Sequence, residues 1–165
     1  MSTEIQINWE SLWQEMAARF VLGKDSIHGL DHWKRVERNA VHLAEHAGGN
    51  VLVARLFAVF HDVCRQNDSR DDQHGARGAE LAATLRGKSF NLPDDAFAAL
   101  HYACTWHTAG QLSEDPTIGA CWDADRLDLW RVGSTPLARF MSTSQARELV
   151  RSGRVGPKLF RTLGD

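Results

Sequence analysis

The chain has 165 residues, 43% of them hydrophobic and 24% charged, with a formal net charge of −2. That size suits one domain around a single core, and the mixture excludes disordered, collagen-like and low-complexity chains. The longest apolar stretch, Val51 to Phe60, is broken by Arg55 and falls far short of the roughly 20 residues a membrane span needs.

Asn8 can cap a first helix, in which Leu12, Trp13, Met16, Ala17 and Phe20 recur at helical spacing before Gly23 closes it. Leu30, Trp33, Val36, Ala40, Leu43 and Ala44 predict a second helix, ending at Gly48-Gly49 where glycine frees the backbone. Asn50 can cap a third, whose Val51, Val53, Ala54, Phe57, Ala58 and Phe60 are apolar nearly all round, as in a helix buried at the centre. It runs straight into His61-Asp62. A polar loop is expected from Arg65 to Gln73, then a short helix from Gly75 to Leu85 that stops at Gly87. Pro93 opens another, with Asp94 and Asp95 near its positive end, running to about His107. Thr108 to Glu114 reads as a connection, Pro116 starts a helix through Leu129, and Ser142 or Ser144 can cap a last one before Gly153. Alternating strand-like runs, internal repeats and dividing linkers are not found. The expected architecture is all-α, a single-domain helical bundle over residues 1–165.

The N-terminal MSTEIQINWE lacks the basic start and apolar run of a secretory signal, and three cysteines are an odd number for a disulfide framework, so a reducing cytoplasm is expected. Cys64, Cys104 and Cys121 are scattered and read as small buried apolar residues. Residues 126–165 hold 8 Lys+Arg against 3 Asp+Glu, a locally basic segment. With little aromatic interleaving it reads as a solvated face or the lining of an anion pocket; nucleic acid is not expected. The six tryptophans are not grouped for base stacking and count toward the core.

The informative feature is the adjacent pair His61-Asp62 at the end of an apolar helix, where burying two polar side chains without partners would cost several kcal/mol. A metal ion satisfies both together. Further candidate ligands are His32, His74, His107 and Asp125, in or beside separate helices, and helical bundles do build metal sites from side chains of facing helices. His42 and His46 read as a solvated face. His28 and His32, or His101 and Cys104, could pair at a zinc site, but neither pair has enough partners nearby. Asp123 and Asp128 flank Asp125 and either support a ligand or face water. Mixed imidazole and carboxylate donors suit iron, manganese or zinc, with iron or manganese favoured.

In this order the residues resemble the HD superfamily of metal-dependent phosphohydrolases, all-α proteins marked by a histidine, an adjacent His-Asp pair and a distant aspartate. His32 stands in His32-Trp33-Lys34-Arg35-Val36, His61-Asp62 is the pair, and Asp125 lies in Ala124-Asp125-Arg126-Leu127. The core motifs span about residues 25–130, leaving 131–165 as a C-terminal helical extension. His74-Gly75 before an Ala-rich helix and Trp106-His107-Thr108 at a helix end are similar to the two-metal members, such as the symmetrical diadenosine tetraphosphate hydrolases.

The resemblance implies one or two divalent ions per chain. His32, His61, Asp62 and Asp125 would hold one, and His74, His107 and a bridging Asp62 the other. It also implies a small phosphorylated substrate, a phosphomonoester, phosphodiester or nucleotide-type phosphoanhydride, attacked by metal-activated water. With 15 Arg against 4 Lys, phosphate contacts are expected from Arg35, Arg65, Arg77 and Arg126, each within four residues of a proposed ligand. Asp62, Arg35 and Arg65 are the expected catalytic residues, with Arg35 able instead to pair with a carboxylate and hold its helix. Some HD-fold proteins carry two irons and use dioxygen to cleave carbon bonds, and the spacing does not separate that chemistry from hydrolysis.

Overall fold

The structure, a computed structural model, describes residues 6–158. Among these the chain forms seven α-helices and no strand: α1 Trp9–Arg19, α2 Leu30–Ala47, α3 Val51–Phe60, α4 His74–Leu85, α5 Asp94–Trp106, α6 Pro116–Arg126 and α7 Ser144–Arg151. An isolated bridge joins Arg86 and Phe90, and 3-10 turns cover Leu129–Val132 and Ala138–Phe140. No helix among the described residues is long and apolar enough to cross a membrane.

The caps follow the expected chemistry. Asn8 Oδ1 accepts from the Ser11 N–H and Asn50 Oδ1 from the Val53 N–H, each satisfying a donor that the first helical turn leaves open. Gly48 ends α2 in the left-handed conformation at φ 74°, which a side chain would strain. The cap of α7 is Thr143, where Ser142 or Ser144 was expected. The reason lies outside the helix, since Asp123 accepts from the Ser142 and Thr143 N–H groups and the Thr143 hydroxyl, fixing where the chain turns.

Helix α6 is shorter than expected, ending at Arg126 rather than Leu129. Past it the Asp128 N–H bonds back only three residues, to the Asp125 carbonyl, and the chain tightens into the 3-10 turn at Leu129. This turns the Asp128 side chain toward α2.

Helix α3 is the axis of the bundle and touches α1, α2, α4, α5 and α6; Val53, Ala54 and Leu56 through Phe60 are fully buried. A helix whose one polar residue is Arg55, paired with Glu37, has nowhere else to go. Its C-terminal end therefore delivers His61 and Asp62 into the interior. Helices α2 and α6 pack on one side of it, α4 and α5 on the other. Helix α4 lies so close that a Cβ at Gly78 would collide with the Phe60 carbonyl, and one at Gly75 with the Cys104 carbonyl.

Candidate metal centre

All six expected ligands meet at the end of α3. Asp62, 2% exposed, stands at the middle, and its two carboxylate oxygens face different groups. Oδ2 lies 3.4 Å from His32 Nε2 and 3.6 Å from His61 Nε2, while Oδ1 lies 3.0 Å from His74 Nε2 and 3.4 Å from His107 Nε2. Asp125 joins the first group, its Oδ1 3.2 Å from His32 Nε2 and 4.0 Å from His61 Nε2. With 17% of its side chain exposed, Asp125 marks the open side of a centre whose histidines are at most 4% exposed.

The outer nitrogens of the four histidines decide what the inner ones can do. His61 Nδ1 donates to the Phe57 and Ala58 carbonyls, His74 Nδ1 to the Asp71 carbonyl and His107 Nδ1 to the Cys104 carbonyl. His32 Nδ1 donates to the Asp128 carboxylate at 2.7 Å. These acceptors only accept, so each Nδ1 carries its proton and each neutral ring aims an Nε2 lone pair inward. The lone pairs face one another in two couples, His32 with His61 at 3.1 Å and His74 with His107 at 3.0 Å. Such couples need a positive charge between them, a proton or a cation. Two imidazole nitrogens about 2.1 Å from one ion at a right angle lie about 3.0 Å apart, so the donor set fits a divalent metal in each group. His32, His61 and Asp62 form one candidate set of metal donors, and Asp62, His74 and His107 another.

In the absence of metal the charge is protonic. Burial alone would lower the His32 imidazole, but the carboxylates of Asp125, Asp128 and Asp62 outweigh it and hold its pKa at about 10. Burial drives His61 down to about 3 despite the same carboxylates, so the couple shares one proton. His107 is raised, the Asp62 carboxylate overcoming burial, and Asp62 itself lies well below the carboxylate range because the surrounding imidazoles, His61 first, outweigh its desolvation.

The sign for stability follows. His32 stabilises the chelated protein fully below its unfolded value of about 6.5, and this is lost as pH rises toward 10. His61 acts oppositely: below about 6.5 the unfolded chain takes a proton that the folded His61 refuses, so acid destabilises. Thermal melts in chelator are expected to peak near pH 6.5 and to fall toward pH 9. Metal-loaded protein should lack the alkaline fall, because the ion replaces the His32 proton.

Several partners were not apparent from spacing. His28, expected to lack partners, donates Nδ1–H to Asp62 Oδ2 at 3.1 Å from the loop ahead of α2. Asp123 and Asp128 are both fully buried, so neither faces water: Asp123 anchors the start of α7, and Asp128 holds His32. Arg131, on the 3-10 turn, donates to the Ile27 and Asp128 carbonyls and brings Nη2 within 3.4 Å of His28 Nδ1. The periodic series Asp125, Asp128, Arg131 carried that signal at i, i+3 spacing.

The expected arginines all have protein partners. Arg35 Nε donates to Asp128 Oδ1 at 2.8 Å, and Arg65 Nε to Asp62 Oδ1 at 3.3 Å with Nη1 on the Asn67 and Ser69 carbonyls. Arg77 binds Asp71 and the Cys64 carbonyl, and Arg126 the Gln111 and Phe140 carbonyls. Elsewhere, His42 is half-buried against Gln145 rather than solvated, His46 is exposed, and His101 pairs with Glu80. Cys104 and Cys121 are buried as expected, whereas Cys64 is only half-buried.

A solved structure shares this architecture: a predicted HD superfamily hydrolase from an uncultured Thermotogales bacterium superposes with a TM-score of 0.71, covering 88% of this chain and 84% of that one at 24% identity. The chain has the HD superfamily fold. No protein-family model and no curated protein matches its sequence. Within the HD fold the adjacent His-Asp pair sits where α3 ends, and the distant aspartate where α6 closes onto α2.

Proposed function

We propose that this HD-fold protein is a metal-dependent hydrolase of a small phosphorylated substrate, a phosphomonoester, phosphodiester or nucleotide-type phosphoanhydride. The observation that carries the reading is the split carboxylate of Asp62, one oxygen toward each couple of inward-facing imidazoles. His32, His61, Asp62 and Asp125 would hold one divalent ion and Asp62, His74 and His107 a second, with iron or manganese suiting the donors best and zinc also compatible. Ions held there supply a hydroxide-like water at neutral pH and neutralise charge on the phosphoryl group.

The chain's own residues do the rest. The Nδ1 bonds, three to carbonyls and that of His32 to Asp128, keep every imidazole in one tautomer, and Arg65 holds Asp62 in place while its Nη2 has no hydrogen-bond acceptor among the described residues. Arg65 is therefore the arginine best placed to meet a substrate oxygen beside the centre. Asp125 lines the approach.

Elemental analysis of anaerobically purified protein, paired with a panel of phosphomonoesters, phosphodiesters and nucleotides, tests this reading. Two ions per chain and phosphate release that stops on chelation are expected. Oxygen uptake in place of phosphate release would assign a di-iron oxygenase instead, and a loaded protein inert on the whole panel would leave a metal-stabilised binding module.

His74→Ala and His107→Ala separate the two ions. Each is expected to drop the count from two to one and to remove most turnover while circular dichroism stays helical, because the first group keeps its four donors. Unchanged stoichiometry in both variants would make these histidines structural.

A further inference from the structure

Three of the four inward-facing histidines are oriented by carbonyls of neighbouring backbone. His32 alone is oriented by a carboxylate, brought from 96 residues away. Asp128 is 0% exposed, and both of its oxygens are engaged, Oδ2 by His32 Nδ1 at 2.7 Å and Oδ1 by Arg35 Nε at 2.8 Å. Arg35 follows His32 by one helical turn, so the two donors that grip Asp128 stand on one face of α2. The Arg35 guanidinium is held by the Trp130 ring, 5.5 Å from its centroid.

We propose that Asp128 and Arg35 are positioning residues for the metal centre, a relay in which Arg35 fixes Asp128 and Asp128 fixes the tautomer, direction and basicity of the His32 ligand nitrogen. This deepens the metal-centre reading and rests on it. An ionised acceptor on Nδ1 makes Nε2 a better donor than a carbonyl does, and partners one step behind a ligand are commonly worth about 10- to 100-fold in metal affinity. Arg35 supplies the nearer opposite charge, 2.8 Å from Asp128 Oδ1, and Arg131 Nε stands 3.9 Å from Oδ2; without such charges a buried carboxylate would be strongly penalised. Arg35 thus acts on the centre through Asp128, to which it is bonded by Nε.

That detail gives a discriminating test, because glutamine carries an amide nitrogen on Cδ where arginine carries Nε. Asp128→Asn offers one carbonyl to two donors, so either His32 or Arg35 loses its acceptor. Manganese(II) affinity of the full chain, measured against a competing chelator, is expected to fall about 10- to 100-fold in Asp128→Asn and at least about tenfold in Arg35→Ala. Arg35→Gln, which keeps the donor but not the charge, should recover part of the Arg35→Ala loss, and the Arg35→Ala/Asp128→Asn double variant should bind no more weakly than Asp128→Asn alone.

If Asp128→Asn does not fold, Arg35→Ala and Arg35→Gln still decide the matter. Wild-type manganese affinity in Arg35→Ala, with kcat/KM equally impaired in Arg35→Ala and Arg35→Gln, would make Arg35 a direct substrate contact and overturn the relay. Wild-type affinity in a folded Asp128→Asn would overturn it as well. A wild-type chain that binds no manganese, iron or zinc would instead refute the metal centre itself.

Discussion

Asp62→Ala is expected to release both ions and abolish hydrolysis, whereas every other single ligand variant should keep one ion. Only Asp62 offers an oxygen to each group of imidazoles, Oδ2 toward His32 and His61 and Oδ1 toward His74 and His107. Without it the second couple loses its carboxylate altogether, and the first keeps only Asp125, the most exposed of the six donors, to balance a divalent charge. A loss of several kcal/mol of metal assistance, at about 1.4 kcal/mol per tenfold, puts the fall in kcat/KM beyond about a thousandfold. Asp62 also anchors His28 and Arg65, so the loops on either side of the site should loosen together. Ion counting, phosphate release and circular dichroism on one preparation check this, and a folded Asp62→Ala chain that retains an ion would remove the bridge from the argument.

The helices were legible because their signals are local. Asn8, Asn50 and Gly48 act within one turn of themselves, and α3 is apolar on every face but that of Arg55, which leaves only the centre of the bundle for it. The convergence of the six expected ligands was implied by the resemblance of their order to the HD pattern. What supports those ligands was not, because it depends on partners brought together by folding. Asp125 and Asp128 share helical spacing, so α6 reads as continuing, yet His32 and Arg35 claim Asp128 from 93 to 96 residues away while the chain tightens into a 3-10 turn. His28 was noticed only for its spacing from His32, and the fold sets it instead against Asp62. The arginines were found as charges near ligands, but their carboxylate and carbonyl partners are tertiary.

The same dependence on close approach makes Gly75 and Gly78 of α4 the most tightly packed glycines among the described residues. On helix propensity alone, Gly78→Ala would stabilise by about 1 kcal/mol. The contact predicts the opposite sign. A Cβ at Gly78 would collide with the Phe60 carbonyl oxygen and come within 3.2 Å of the Phe60 carbonyl carbon, and one at Gly75 would collide with the Cys104 carbonyl and stand 3.0 Å from His107 Nδ1. These obstacles are mostly backbone at the ends of α3 and α5, which cannot rotate away, so α4 must move. His74 is the first residue of α4, and His61 and His107 cap the helices it would be pushed from. Overpacking of this kind costs typically 1–3 kcal/mol and sometimes more, which outweighs the propensity gain. Gly78→Ala should therefore lower the melting temperature by several degrees, at about 2–4 °C per kcal/mol for a chain of this length, and weaken the ion of the second group. The Gly75→Ala/Gly78→Ala double variant should lose up to about 4 kcal/mol net of propensity, a large share of a stability that is commonly about 5–15 kcal/mol, and melt below either single variant. Ala83→Gly, on the exposed face of the same helix, isolates propensity: it should cost about 1 kcal/mol and leave both ions bound. A Gly78→Ala chain that melts higher than wild type with two ions in place would show that α4 is not held at this distance from α3.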